Sequence, residues 1–291
     1  AFNPKNLYKQ ESSVLYMSNG TELAQLGAEN RELVTYDELP QVLIDAIIAT
    51  EDSRYFQHNG VDWARFLKAS IYQVLGKSGA GGASTLTMQI SKNAFTSTED
   101  TGIKGIIRKF TDVYISLNKI EKKYSKEEIM EFYVNSYYLG SGAYGVQQAA
   151  KTYFGKDIKD VNLAEASILA GLFQAPGKYD PTTNVEAAKA RQKTVLYLMV
   201  KHGYISQKEA DIALSIDIDD LIIKSEKNAD GTIKNKYQAF IDTVVQEVED
   251  KTGKSPYTTP MEIYTTMDPA KQDALNAIMD TNSVGWVNDV V

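Results

Sequence analysis

The chain contains no cysteine, so neither a disulfide frame nor a thiolate metal site can be built from it, and its redox compartment cannot be read. Only two histidines, His58 and His202, occur among 291 residues, which makes a zinc site a poor expectation. No uninterrupted apolar run approaches the roughly 18 residues that a membrane-spanning helix needs, and no signal peptide opens the chain. Positive charge is also short: 31 Lys and Arg stand against 38 Asp and Glu, a net charge of −7. That balance sets nucleic acid aside as the main partner, because phosphate-binding domains carry a basic excess. What the chain does have is 43% apolar residues, enough for a core in one large domain or two smaller ones.

The stretch Ala49 to Gly60 organises the rest. It follows an apolar-periodic run (Leu39, Val42, Leu43, Ala46, Ile47) that predicts an amphipathic helix, so Glu51 and Asp52 arrive as that helix ends. Carboxylates at a helix C-terminus meet the unfavourable end of its dipole. A sequence that accepts this penalty, with His58 and the aromatics Tyr55 and Phe56 close by, marks a candidate site.

Upstream, residues 1–35 read as an extended lead-in. Val14 to Met17 and Leu23 to Leu26 flank Asn19-Gly20, a hairpin signal that also accounts for the apparent glycosylation sequon Asn19-Gly20-Thr21. From Tyr36 to about Ser215 the periodicity predicts helices near 38–51, 62–75, 84–93, 102–121, 125–138, 143–153, 162–173, 184–202 and 206–214. This is an all-α domain, spanning 36–215. Residues 216–260 are acidic and lysine-rich, with a turn at Asn228 to Thr232 and one helix near 235–251, and read as a linker. Residues 261–291, with a strand at Met261 to Thr266 and a helix from Pro269 to Met279, are too few to bury a core and read as the start of a truncated domain.

Several pattern matches fail. Gly79 to Ser84 lacks the last glycine of a dinucleotide loop and has no strand before it, and Gly76-Lys77-Ser78 lacks the upstream glycine of a phosphate loop, so no nucleotide cofactor is expected. Asp217-Ile218-Asp219 imitates a metal-binding pair but lies in the acidic linker. Ser116 to Lys119 and Lys251-Thr252-Gly253 imitate penicillin-recognition motifs, yet both fall within predicted helices.

Four clusters remain. Glu51 and Asp52 with Phe56 and His58 form the first. In the second, Gly82 to Lys92, a glycine loop runs into a helix expected to be capped by Ser84, whose N–H groups could hold an anion, with Thr85, Gln89 and Lys92 following. Arg108, Lys109 and Asp112 lie within about one helical turn. The fourth runs from Lys126 to Asn135. Together they supply a carboxylate base, a donor-rich pocket and a cationic clamp, the set required for inverting transfer to a hydroxyl when a pyrophosphate departs. Singly, each also fits a helix cap or a solvated face. Around Phe95, Ile103, Ile106, Ile107, Phe110, Val113, Tyr114 and Leu117 runs an apolar stripe flanked by Lys104, Arg108 and Lys109. Periodicity alone makes it a core face, with a lipid-facing stripe as the alternative.

In order along the chain, Glu51-Asp52-x-x-Tyr55-Phe56-x-His58-x-Gly60, Gly82-x-Ser84-Thr85-Leu86-Thr87-Met88-Gln89, Arg108-Lys109, Glu131-x-Tyr133-x-Asn135 and Ala170-Gly171-Leu172-x-x-Ala175-Pro176 resemble the motifs of peptidoglycan glycosyltransferases of family 51. These are the glycan-polymerising domains of class A penicillin-binding proteins. The resemblance covers about residues 36–205, and Tyr264 to Pro269 resembles the opening of the transpeptidase domain that follows in such proteins. It implies a lysozyme-like all-α fold held at the extracytoplasmic face of the cell membrane by an anchor missing upstream. The implied partners are lipid II, the growing glycan strand, the membrane surface, moenomycin-type inhibitors and other cell-wall synthesis proteins.

By the same resemblance Glu51 is the general base, acting on the acceptor N-acetylglucosamine 4-hydroxyl. Lys92, Arg108 and Lys109 match the charge of departing undecaprenyl pyrophosphate, with a divalent cation, Mg or Mn. Asp52, Phe56, His58, Ser84, Thr85, Gln89 and Asn135 shape the pocket. This chain has Asp112 where the family has glutamate. The expectation is that local backbone placement makes up the lost methylene and Asp112 still helps hold the diphosphate. The rival readings are a muramidase-like enzyme that cleaves glycan, which would have no pyrophosphate to neutralise, and an inactive peptidoglycan-binding module.

Overall fold

The helical periodicity is realised in a computed structural model of the chain, which describes residues 2–8, 13–26, 31–74, 84–95, 102–223, 237–257 and 259–279. Tertiary contacts divide it into two compact units. One comprises Ala1–Lys9 with Glu29–Ile233, and the other Gln10–Ala28 with Lys234–Val291.

The first unit is all-α. Its helices are α1 (Gln41–Glu51), α2 (Trp63–Val74), α3 (Leu86–Phe95), α4 (Gly102–Ile115), α5 (Lys126–Ser136), α6 (Gly145–Phe154), α7 (Leu163–Leu172), the short α8 (Pro176–Tyr179), α9 (Val185–Lys201), α10 (Gln207–Ser215) and the short α11 (Ile218–Leu221). The long helix expected near 102–121 is α4 continued by a π-helix, Ser116–Ile120. Helix starts follow sequence-local chemistry. Ser125 with Glu128, Asn162 with Glu165 and Ser206 with Glu209 each close a reciprocal capping box at the head of α5, α7 and α10.

Burial then decides which helix is central. Every residue of α7 from Ala164 to Leu172 is buried, as expected of a helix that is apolar on all sides. Helix α1 packs against α7 and α9 and buries Leu43, Ile44, Ala46, Ile47, Ile48 and Ala49. The last residue of this core helix is Glu51. The apolar spacing that drives α1 inward thus carries a carboxylate to the edge of the core.

The second unit holds a three-stranded sheet of β1 (Ser13–Tyr16), β2 (Glu22–Leu26) and β3 (Glu262–Tyr264), in the order β2-β1-β3, with helices α12 (Gln238–Thr252) and α13 (Pro269–Met279). The hairpin predicted around Asn19-Gly20 is present, and Asn19 Oδ1 accepts from the Thr21 amide at 3.0 Å, so its side chain closes the turn. Strand β3 pairs in parallel with β1, Leu15 opposite Ile263. The turn expected at Asn228 to Thr232 and the glycine-rich stretch 76–82 lie outside the described residues. Asp217 caps α11 through the Asp219 amide and pairs with Lys189 at 3.2 Å, which makes it a helix cap.

Candidate active site

Asp52 caps the C-terminus of α1 and is fully buried. A lone carboxylate there would be costly, but tertiary structure supplies its donors. The amide of Leu86, first residue of α3, donates to Asp52 Oδ2 at 3.1 Å, and His58 Nε2 lies 2.9 Å from Oδ1 and 3.1 Å from Oδ2. The penalty at the end of one helix dipole is offset by the favourable end of another. His58 is thereby tied to Asp52, and its Nδ1 is buried with no hydrogen-bond partner.

This arrangement corrects the anion pocket expected at the head of α3. The cap of that helix is Thr85: its hydroxyl accepts from the Met88 amide at 3.2 Å and donates to the Gly60 carbonyl at 2.6 Å. Ser84 is exposed. With Asp52 on the Leu86 amide and Thr85 on the Met88 amide, the α3 N-terminus already has its anion. Gly60 itself has φ +85°, and a Cβ there would stand 2.8 Å from Glu121 Cγ, so the backbone approach that receives Thr85 needs glycine.

Glu51 turns the other way from its neighbour. Its Oε2 accepts from Gln89 Nε2 at 3.2 Å, its Oε1 lies 3.7 Å from Arg191 Nη2, and its backbone carbonyl accepts from Arg65 at 3.1 Å. Burial pushes the Glu51 carboxyl above the usual range, against the opposing effects of the Gln89 hydrogen bond and of Arg191 and Arg65, while Asp52 adds to the rise. Tyr133 donates its hydroxyl to Gln89 Oε1 at 3.3 Å.

Across α3, Asp112 is buried and accepts from the Ser91 hydroxyl at 3.2 Å. Desolvation raises its carboxyl, opposed by Ser91 and by the charges of Arg108 and Lys92. The ammonium of Lys109 sits 5.4 Å from the centre of the Phe66 ring on α2. Burial first, and then the charges of Glu51 and Asp112, push the phenol of Tyr137 well above its ordinary value. Gln89, the donor to Glu51, and Ser91, the donor to Asp112, both stand on α3. Among the described residues no group of three or more His, Cys, Asp or Glu is gathered that could hold a metal ion.

Two more residues of the expected pocket, Asn135 and Phe56, have distinct surroundings. Asn135 is buried with its carboxamide committed to the backbone of Val34, accepting from its N–H at 3.1 Å and donating to its carbonyl at 2.8 Å. With Glu131, which accepts from the Tyr36 amide at 3.1 Å, it fastens the segment before α1 onto α5. Phe56 is exposed, with its ring 5.1 Å from that of Tyr55.

Sequence reasoning missed Arg191, Arg65 and Tyr137, and quoted Tyr133 in a motif without giving it a role. Arg191 donates to the Gly171 carbonyl at 3.2 Å, and a Cβ on Gly171 would stand 2.8 Å from Arg191 Cγ. The glycine within Ala170-Gly171-Leu172, one residue from the end of a buried helix, was the one local sign that another chain segment passes there.

A family model described as Transglycosylase matches residues 19–200. The chain is 38% identical over 276 residues to penicillin-binding protein 1A/1B of Bacillus subtilis (strain 168), covering 94% of this chain and 30% of that protein. It is 37% identical over 286 residues to penicillin-binding protein 1A of Streptococcus oralis, covering 97% and 44% respectively. A crystal structure of penicillin-binding protein 1A from Haemophilus influenzae aligns with a TM-score of 0.42 at 25% identity, over 92% of this chain and 28% of that one. The chain thus spans less than half the length of either curated relative.

Proposed function

Since the chain belongs to the transglycosylase family, we propose that it polymerises lipid II into glycan strands, with Glu51 as general base. The observation that supports this reading is that helix α3 reaches both carboxylates: Gln89 hydrogen-bonds the desolvated Glu51 at 3.2 Å, and Ser91 hydrogen-bonds Asp112 at 3.2 Å, where the charges of Arg108 and Lys92 also act.

The chemistry follows from those environments. A glutamate whose proton affinity is raised by burial is a stronger base than one in water. Glu51 takes the proton of the acceptor sugar's 4-hydroxyl. The freed oxygen attacks the anomeric carbon of the donor N-acetylmuramic acid from the face opposite the diphosphate, the C–O bond to the diphosphate breaks, and configuration inverts from α to β. The departing oxygens carry the electron pair, and Lys92 and Arg108 neutralise the developing charge. For a divalent cation, Asp112 is the carboxylate beside those cations; the ion would add charge neutralisation on the leaving group, its remaining ligands coming from the diphosphate. Arg191 draws Glu51 Oε1 to its own side by charge, while Gln89 holds Oε2 by a hydrogen bond.

We further assign the exposed apolar side chains of α2 and α4 to contact with the membrane in which lipid II resides. No helix among the described residues is long and apolar enough to cross one.

The test is polymer formation from labelled lipid II on a gel. The parent chain is expected to give polymer, and Glu51→Gln to fold normally with turnover reduced by at least about a hundredfold, in the range for loss of a general base. In the same assay Asp112→Asn should lose activity and Asp112→Glu keep it. Retained polymerisation by Glu51→Gln would overturn the assignment of the base.

A further inference from the structure

Gln89 is the only described side chain that hydrogen-bonds the Glu51 carboxylate, and a carboxamide can face a carboxylate with either of its ends. The NH2 end stabilises the ionised acid, whereas the oxygen end repels it and instead accepts from the protonated form. Shape does not decide between them, since the two ends are nearly isosteric. The hydroxyl of Tyr133 does. It donates to Gln89 Oε1, and a carboxamide oxygen held there leaves the NH2 pointing at Glu51.

We propose that Tyr133 is a positioning residue for the glycosyl transfer, acting through Gln89 to present Glu51 ionised and correctly aimed. The inference rests on the reading of Glu51 as the base. Tyr133 suits the task for three reasons. Its side chain is fully buried, so water does not compete for the hydroxyl. Its ring is clamped, stacked 4.7 Å from Phe173 and tilted against Tyr137 at 4.8 Å, so the hydroxyl cannot swing away. Burial and the neighbouring charge of Glu51 hold its phenol far above the ordinary value, so it remains a donor across the working range of pH. The charged and titratable groups around Glu51 are Arg191 from α9, Arg65 from α2, Asp52 beside it, and Tyr133 and Tyr137 from the end of α5. None of the others touches Gln89 among the described contacts.

The decisive measurement is titration of Glu51 by carbon-13 NMR in the full chain carrying δ-labelled glutamate, with its resonance assigned by its disappearance in Glu51→Gln. Tyr133→Phe keeps the packed ring and deletes only the hydroxyl. Freed of its tether, the amide can turn its oxygen to the acid, and the carboxyl should hold its proton to higher pH. The ionised fraction on the acid side of the titration should fall about fivefold, the factor that one neutral hydrogen bond contributes. Gln89→Met should reproduce the rise, and Tyr133→Phe in the Gln89→Met background should add nothing further.

In turnover, Tyr133→Phe should move the acid limb of kcat to higher pH, leaving the alkaline plateau and KM near parental values. An unshifted Glu51 in folded Tyr133→Phe, or a shift that persists undiminished without Gln89, overturns the proposal. Because the NMR titration needs no turnover, that failure is distinct from a parent chain that makes no polymer, which would instead remove the reading of function.

Discussion

Glu51 sits where its ionised form is partly disfavoured, and this ties stability to pH with a definite sign. The folded carboxyl is raised relative to the unfolded chain, so between the two values the folded state binds more protons and stability falls as pH rises through that window. Replacing the acid by its neutral amide removes the penalty. Glu51→Gln is therefore expected to melt at or above the parent temperature at pH 7, with the difference closing as pH drops below the unfolded glutamate value of about 4.3. Thermal melts of both proteins across that range check it. A variant stabilised at neutral pH and inactive on lipid II is the signature of a residue selected for chemistry over folding.

At the scale of the element, the head of α3 is where local and tertiary structure meet. Thr85 caps the helix and grips the Gly60 carbonyl, and Asp52 supplies the buried anion that takes both the Leu86 amide and His58. Thr85→Ala should cost about 1 to 2 kcal/mol in urea unfolding, the range for a lost cap with one further hydrogen bond. Asp52→Ala should cost more, roughly 3 kcal/mol, because it strands a buried amide and a buried imidazole together. The helix start was legible, since Ser and Thr before an apolar run announce a helix. Which of Ser84 and Thr85 would cap, and that an aspartate from another segment would occupy the amides, were not, because that choice depends on how close α1 comes to α3.

On the whole first unit, the apolar stripe read along residues 95–117 divides. Val113 is buried, in a small cluster with Val61, Phe66 and Met88, while Ile107, Phe110 and Tyr114 face outward, Phe110 with 62% of its surface exposed. The side chains of Ile103, Lys104 and Ile106 lie outside the described residues. Helix α2 adds Trp63, Leu67 and Ile71, all more than half exposed, and its Phe66 ring stands 6.4 Å from that of Phe110, so the two helices present their apolar side chains from adjoining elements. A Phe side chain moved into lipid contributes about 1.5 to 3 kcal/mol. Phe110→Asp should accordingly lower the liposome-bound fraction in flotation at least about tenfold, with polymerisation of detergent-dispersed lipid II less affected. Equal partitioning of variant and parent would count against membrane contact.

The amino-acid sequence alone determined the helices, their caps, the hairpin turn and the arrival of Glu51 at a helix end, because each depends on side chains a few positions apart competing for the same backbone groups. The ordered motifs carried the family resemblance for the same reason. Only the tertiary structure decided which charges meet. It brought Arg191 across Gly171 to Glu51, put Asp52 on the first amide of α3, set the Lys109 ammonium over the Phe66 ring, gave Asn135 to the Val34 backbone, and laid β3 alongside β1. Those pairings are set by the packing of helices distant in the chain, where desolvation makes each buried polar group take the partner that the fold places within reach.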